Sequence, residues 1–123
     1  MVYVKVRNAT RNIDLGHKIR LAGSLLDRAI GLLATPSLRS GEGLWIKPCA
    51  SIHTFFMRYP IDILFVDADN TVLARQTLAP WRFSRWVRKS RSVIELPAGT
   101  AERTGTVAGD RIEFMDLPAG RQG

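Results

Sequence analysis

Only one cysteine, Cys49, stands among the 123 residues. No intramolecular disulfide can form, which excludes the disulfide scaffolds of small secreted domains. Long apolar runs are missing as well. The longest, such as Ile63 to Val66, stop at four or five residues, far short of the ~18 to 20 that a spanning helix needs. No internal repeat and no low-complexity segment occurs. The first residues, Met1 to Arg7, alternate apolar and cationic side chains and lack the apolar core of a secretory signal, so they read as a strand and the compartment as the cytoplasm. The most informative absence is acidic. No Asp or Glu lies between Asp69 and Glu95, whereas Arg75, Arg82, Arg85, Arg88, Lys89 and Arg91 all fall there. The net charge of +7 therefore describes a local patch on an otherwise near-neutral chain.

What is present is ordinary for a globular domain: 46% hydrophobic and 24% charged residues, enough for one core and no more. One domain over residues 1–117 with a flexible tail over 118–123 is expected. Strands are expected at Tyr3 to Arg7, His17 to Leu21, Leu44 to Ile46, Ile61 to Val66, Thr71 to Leu78, Val93 to Leu96 and Arg111 to Met115, where apolar residues alternate or cluster. Asp67 to Asn70 supplies a hairpin turn, since Asp and Asn tolerate the left-handed backbone. Ser24 and Asp27 have capping-box spacing before a helix over Leu25 to Leu33. Gly99 to Gly105 suits one helical turn between a further strand pair, Val93 to Leu96 and Arg111 to Met115. Together these elements predict a mainly β chain, a small sandwich or barrel with one or two short helices.

The central run Ser51-Ile52-His53-Thr54-Phe55-Phe56-Met57-Arg58-Tyr59-Pro60-Ile61-Asp62-Ile63-Leu64-Phe65-Val66-Asp67 resembles the core motif of a bacterial and archaeal family, domain of unknown function 192. Arg28 to Leu33 is similar to that family's early Arg-x-x-Gly-Leu segment. Val93 to Gly99 with Gly109-Asp110 is similar to its closing one. The resemblance spans nearly the whole chain in the right order. It implies a small, mainly β domain and supplies no reaction.

Three groups of residues carry chemistry. The first is His53, Thr54, Met57, Arg58 and Asp62, polar groups set among Phe55, Phe56 and Tyr59, the composition of a pocket for a small ligand or a partner segment. Asp62 is notable because it interrupts an apolar strand, where a carboxylate must be exposed or fully hydrogen-bonded. The second group is Trp81, Arg82, Arg85, Trp86, Arg88 and Arg91, with Phe83 and Lys89 between them. Aromatics interleaved with cations suit single-stranded RNA, whose bases stack while its phosphates are neutralised; an anionic membrane surface is the other reading. The third is Cys49, His53 and Met57, spaced like thiolate, imidazole and thioether copper ligands, or, as Cys49 with His53, like a nucleophile pair oriented by Asp62. Against these stand plain structural roles: core filling for Cys49 and Met57, a strand-locking network for Asp62, and solvated loop arginines. Glu95 and Asp110 form a weaker acid pair. A binding module is favoured over an enzyme, with no cofactor expected and no oligomeric state implied.

Overall fold

The structure, a computed structural model, describes residues 2–23 and 38–117. The helix expected over Leu25 to Leu33 and the early family segment lie outside these residues. Seven strands form one sheet: β1 (Tyr3–Asn8), β2 (Ile13–Ala22), β3 (Glu42–Ile46), β4 (Ile61–Val66), β5 (Val72–Leu78), β6 (Ser92–Pro97) and β7 (Ile112–Asp116). A five-residue helix, α1 (Thr100–Thr104), lies between β6 and β7. The spatial order is β5-β4-β6-β3-β2-β1-β7. All neighbours are antiparallel except β2 and β3, which run parallel. The sheet curls into a half-barrel whose end strands meet at one corner. There Thr71 bridges Arg111, and Val72 N and Ile112 N donate to Asp110 O and Asn70 O, each at 2.8 Å.

The β4–β5 hairpin follows its turn residues. Asp67 Oδ1 accepts from the backbone N–H of Asp69 and Thr71, both at 2.9 Å, and Asn70 takes a left-handed φ of 62°, as an Asx-type turn requires. The expected pairing of Val93 to Leu96 with Arg111 to Met115 is not formed. β6 instead lies between β4 and β3, and β7 joins β1. The reason lies in the fourteen residues from Ala98 to Arg111, which include α1 and carry the chain across the barrel end; a connection of that length does not dictate a hairpin.

Each face of the sheet buries its own core. Inside the curl lie Val4, Val6, Leu15, Ile19, Leu64, Val66, Val72, Ile94, Leu96, Ala101 and Ile112. On the outer face, Leu44, Ile46, Ile61, Ile63, Phe65 and Val93 pack with Cys49 and Met57, while Ile52, Tyr59 and Val87 lean against them. Every residue of β4 is buried, which is why its sequence reads as a near-continuous apolar run and not as alternation. Close approach of β3 to β6 requires Gly43, where a Cβ would stand 2.4 Å from the carbonyl oxygen of Glu95.

A polar network fixes the closed corner. Asp110 Oδ2 accepts from Arg11 Nε at 2.6 Å, Asn8 Nδ2 at 2.9 Å and Val107 N at 3.1 Å, and Asn8 also donates to Thr106 Oγ1. Burial pushes the Asp110 carboxyl upward, but these donors outweigh it and hold the group below its ordinary 3.8. Its stabilising effect is therefore complete above pH 3.8 and is lost as pH falls through the lower folded-state value. Asp110→Ala is expected to cost about 2–3 kcal/mol at pH 7, because Asn8 and Val107 lose a buried acceptor. Urea unfolding at pH 7 and pH 3 checks this; the gap between variant and wild type shrinks in acid.

Candidate functional site

Two loops cover the outer face, residues 47–60 between β3 and β4 and residues 79–91 between β5 and β6. Backbone bonds stitch them side by side. Thr54 N donates to Arg82 O at 2.8 Å, Trp81 N to Thr54 O at 2.9 Å, Ser84 N to Ile52 O at 2.8 Å and Val87 N to Ala50 O at 3.0 Å, with His53 and Phe83 in an isolated bridge. Thr54, fully buried, is the rivet: its hydroxyl donates to Ala79 O at 2.6 Å and accepts from Arg82 N at 3.0 Å. Two separate sequence candidates thereby become one surface.

That surface is aromatic. Phe55 lies 4.7 Å from Phe83 and 6.0 Å from Trp81, Phe56 lies 4.6 Å from Trp81, and His53 lies 5.0 Å from Phe55, ring centre to ring centre. Phe56 and Trp81 hold left-handed φ values of 68° and 63°, uncommon for bulky residues and of the kind found where structure serves a site. Their exposure is high: 69% for Phe56, 52% for Trp81, 71% for Phe83 and 72% for Trp86. Scattered exposed apolar residues are normal; large ones gathered on adjoining loops mark an interaction surface. Arg82, Arg85, Arg88, Lys89 and Arg91 are exposed in the same loop.

The first group of candidates is divided between two faces. Asp62 points inward with Leu64 and Val66; its Oδ1 accepts from Thr77 Oγ1 at 2.6 Å, and its Oδ2 accepts from Gly99 N at 3.0 Å and Ala101 N at 2.9 Å. Met57 packs into the opposite, outer core. Thr54 is the buried rivet, Arg58 is exposed, and His53 joins the aromatic surface. Cys49 and His53 have other partners: the thiol donates to Ser51 O at 3.1 Å, and His53 Nδ1 accepts from Phe55 N at 3.2 Å. Among the described residues no three His, Cys, Asp or Glu side chains are placed to hold a metal ion, and no helix is long and apolar enough to cross a membrane.

A second polar region surrounds Glu95, which the sequence marks without its neighbours. Tyr3, Lys18, Arg20, Leu38, Glu42, Gly43 and Leu44 line a hollow of about 140 Å³ on the outer face. Glu95, which follows Val93 onto that face by strand alternation, is 5% exposed between Leu44 and Ile63. Burial raises its carboxyl to about 8 against the pull of Arg20. Burial also raises Tyr59, and the charges of Glu95 and Glu42 add to the effect. Glu95 and Asp110 thus serve different networks. The only sequence signal was a glutamate inside an apolar strand.

A small β half-barrel with a loop-built aromatic and cationic surface is the class these features define. The family follows from comparison. Residues 5–114 match the family model DUF192, described as Uncharacterized ACR, COG1430, and the chain belongs to that family. A UPF0127 protein of Pyrococcus horikoshii is 33% identical over 111 residues, covering 88% of this chain and 96% of that one. A second, from Pyrococcus abyssi, is 32% identical over 115 residues, covering 88% and 95%. Among solved structures, a Sinorhizobium meliloti protein described as "a putative transcription regulator" is similar at 27% identity and a TM-score of 0.74, covering 92% of each chain. A Novosphingobium aromaticivorans protein of unknown function shares the fold at 24% identity and a TM-score of 0.77, covering 91% of this chain and 84% of that one.

Proposed function

We propose that the chain is a binding module that takes single-stranded nucleic acid, RNA in the first instance, on the face built from residues 51–56 and 81–91. The observation that carries this reading is the joining of the two loops, which sets Phe55, Phe56, Trp81 and Phe83 together in the loop layer that also exposes Arg82, Arg85, Arg88, Lys89 and Arg91. Exposed rings accept unpaired bases by stacking, and guanidinium groups neutralise the phosphates. Binding is favoured over thiol chemistry because Cys49 and His53 are hydrogen-bonded to separate backbone partners. The description of the Sinorhizobium meliloti relative as "a putative transcription regulator" agrees in kind with a nucleic-acid partner.

Such binding is weakly specific and dominated by charge. Five neutralised phosphates give a salt slope of roughly −3.5, so affinity is expected to fall about 100-fold between about 50 and about 200 mM salt. Tryptophan emission during titration with single-stranded RNA measures it, and Arg82→Ala with Arg85→Ala should flatten the slope by roughly 1.4. Salt-independent affinity, or a response to anionic phosphatidylserine vesicles and none to RNA, overturns the reading.

A further inference from the structure

Beside the aromatic ridge the same loops leave a hollow of about 290 Å³ lined by Pro48, Cys49, Ala50, Ser51, Trp86 and Ser90. Its frame is fixed at both ends. Val87 N donates to Ala50 O at 3.0 Å on one side of it, and Cys49 N donates to Arg91 O at 3.1 Å on the other. Ser90 Oγ, buried, lies at donating distance from both Cys49 O at 2.8 Å and Ser92 O at 2.9 Å, so its one proton is used within the protein and it braces the loop. One wall is the indole of Trp86, 72% exposed and absent from the ring contacts that join Phe55, Phe56, Trp81 and Phe83. The hollow is shallow and open to solvent, not an enclosed cavity, so it suits one flat ring laid against its wall and not a whole enclosed ligand. Arg85, Arg88, Lys89 and Arg91 are exposed in the loop that forms this wall and no acidic residue interrupts them, so the occupant's remaining part is anionic.

Building on the nucleic-acid reading above, we infer that this slot seats one unpaired nucleobase, stacked on Trp86 against Pro48 and Cys49, while the flanking phosphates run along Arg88, Lys89 and Arg91. The ridge and the slot then divide the work: Trp81 and its neighbours hold successive bases loosely, and the slot fixes one of them.

Cys49, the chain's only thiol, lines the slot at 7% exposure; it alkylates slowly in the free protein, and a base seated over it slows the reaction further. The experiment follows its alkylation by iodoacetamide in the intact protein, alone, with single-stranded oligoadenylate, and with an abasic strand of equal length and charge. Oligoadenylate is expected to slow alkylation several-fold and the abasic strand to leave it nearly unchanged. Trp86→Ala should weaken oligoadenylate binding about tenfold, the scale of one lost stacking partner, and Trp86→Phe should restore most of it. Equal protection by the abasic strand overturns the slot, because charge alone would then cover the cysteine. If oligoadenylate binds, yet alkylation and Trp86→Ala affinity are unchanged, the slot falls while the wider nucleic-acid face stands. Absence of any oligonucleotide binding at low salt overturns both.

Discussion

Replacing Glu95 by glutamine is expected to make the protein more stable than wild type in alkaline solution while changing little in acid. The carboxyl lies in the outer core between Leu44 and Ile63, and burial lifts it from 4.5 to about 8 even though Arg20 favours the charged form. Below pH 4.5 the group is neutral in both folded and unfolded chains, so its ionisation costs the fold nothing. Between 4.5 and 8 the unfolded chain releases the proton and the folded chain keeps it, which favours unfolding with every unit of pH. Above 8 both states are ionised and the penalty is constant. At ~1.4 kcal/mol per unit of pKa, the full penalty is at most about 5 kcal/mol. Glutamine has the same shape and no proton to lose, so urea unfolding of the two proteins at pH 5, 7 and 9 should show a gap that opens in the variant's favour. A constant gap across that range refutes the assignment.

Asp62→Ala should be among the most damaging single changes outside the apolar core. Its two oxygens accept from Thr77 Oγ1, Gly99 N and Ala101 N, and α1 has no side-chain cap from its own N-terminal residue. A carboxylate on β4 thereby ties the start of the helix to the sheet. Alanine strands the buried N–H of Ala101 and loosens that of Gly99, each at about 1–3 kcal/mol, for a total of roughly 3–5 kcal/mol. Asp62→Asn keeps an oxygen for the two N–H groups and an amide that can donate to Thr77, so its cost should be nearer 1 kcal/mol. Urea midpoints give the totals, and amide exchange at Gly99 and Ala101 locates the loss. An Asp62→Ala protein as stable as wild type would return this residue to the list of binding groups.

How much of this was legible in the sequence depended on distance along the chain. The apolar run of β4, the Asp67 to Asn70 turn and the mainly β class depend on neighbours, and each is where the pattern put it. Strand β2 begins at Ile13 and not near His17, because Gly16 weakens the strand signal; a Cβ there would meet Gly41 O at 2.9 Å. Asp62 announced that it needed partners, yet the partners are a threonine 15 residues on and two N–H groups 37 and 39 residues on. The aromatic surface was visible as two unconnected halves, since nothing local says that Thr54 will bond to Ala79 and Arg82. The Glu95 region was hidden for the same reason: its elevated pKa comes from burial between β3 and β4, strands far from it in the chain.

The stitched loops have a consequence for how this protein can change over generations. Thr54, Met57 and Ser90 turn inward and are buried, while His53, Phe56, Trp81, Phe83 and Trp86 turn outward and are exposed. Inward positions anchor the cover to the sheet and outward ones contribute little to its core. The chassis and its facing are thus nearly separable: descendants can exchange the outward side chains and acquire new partners while the seven strands beneath remain as they are.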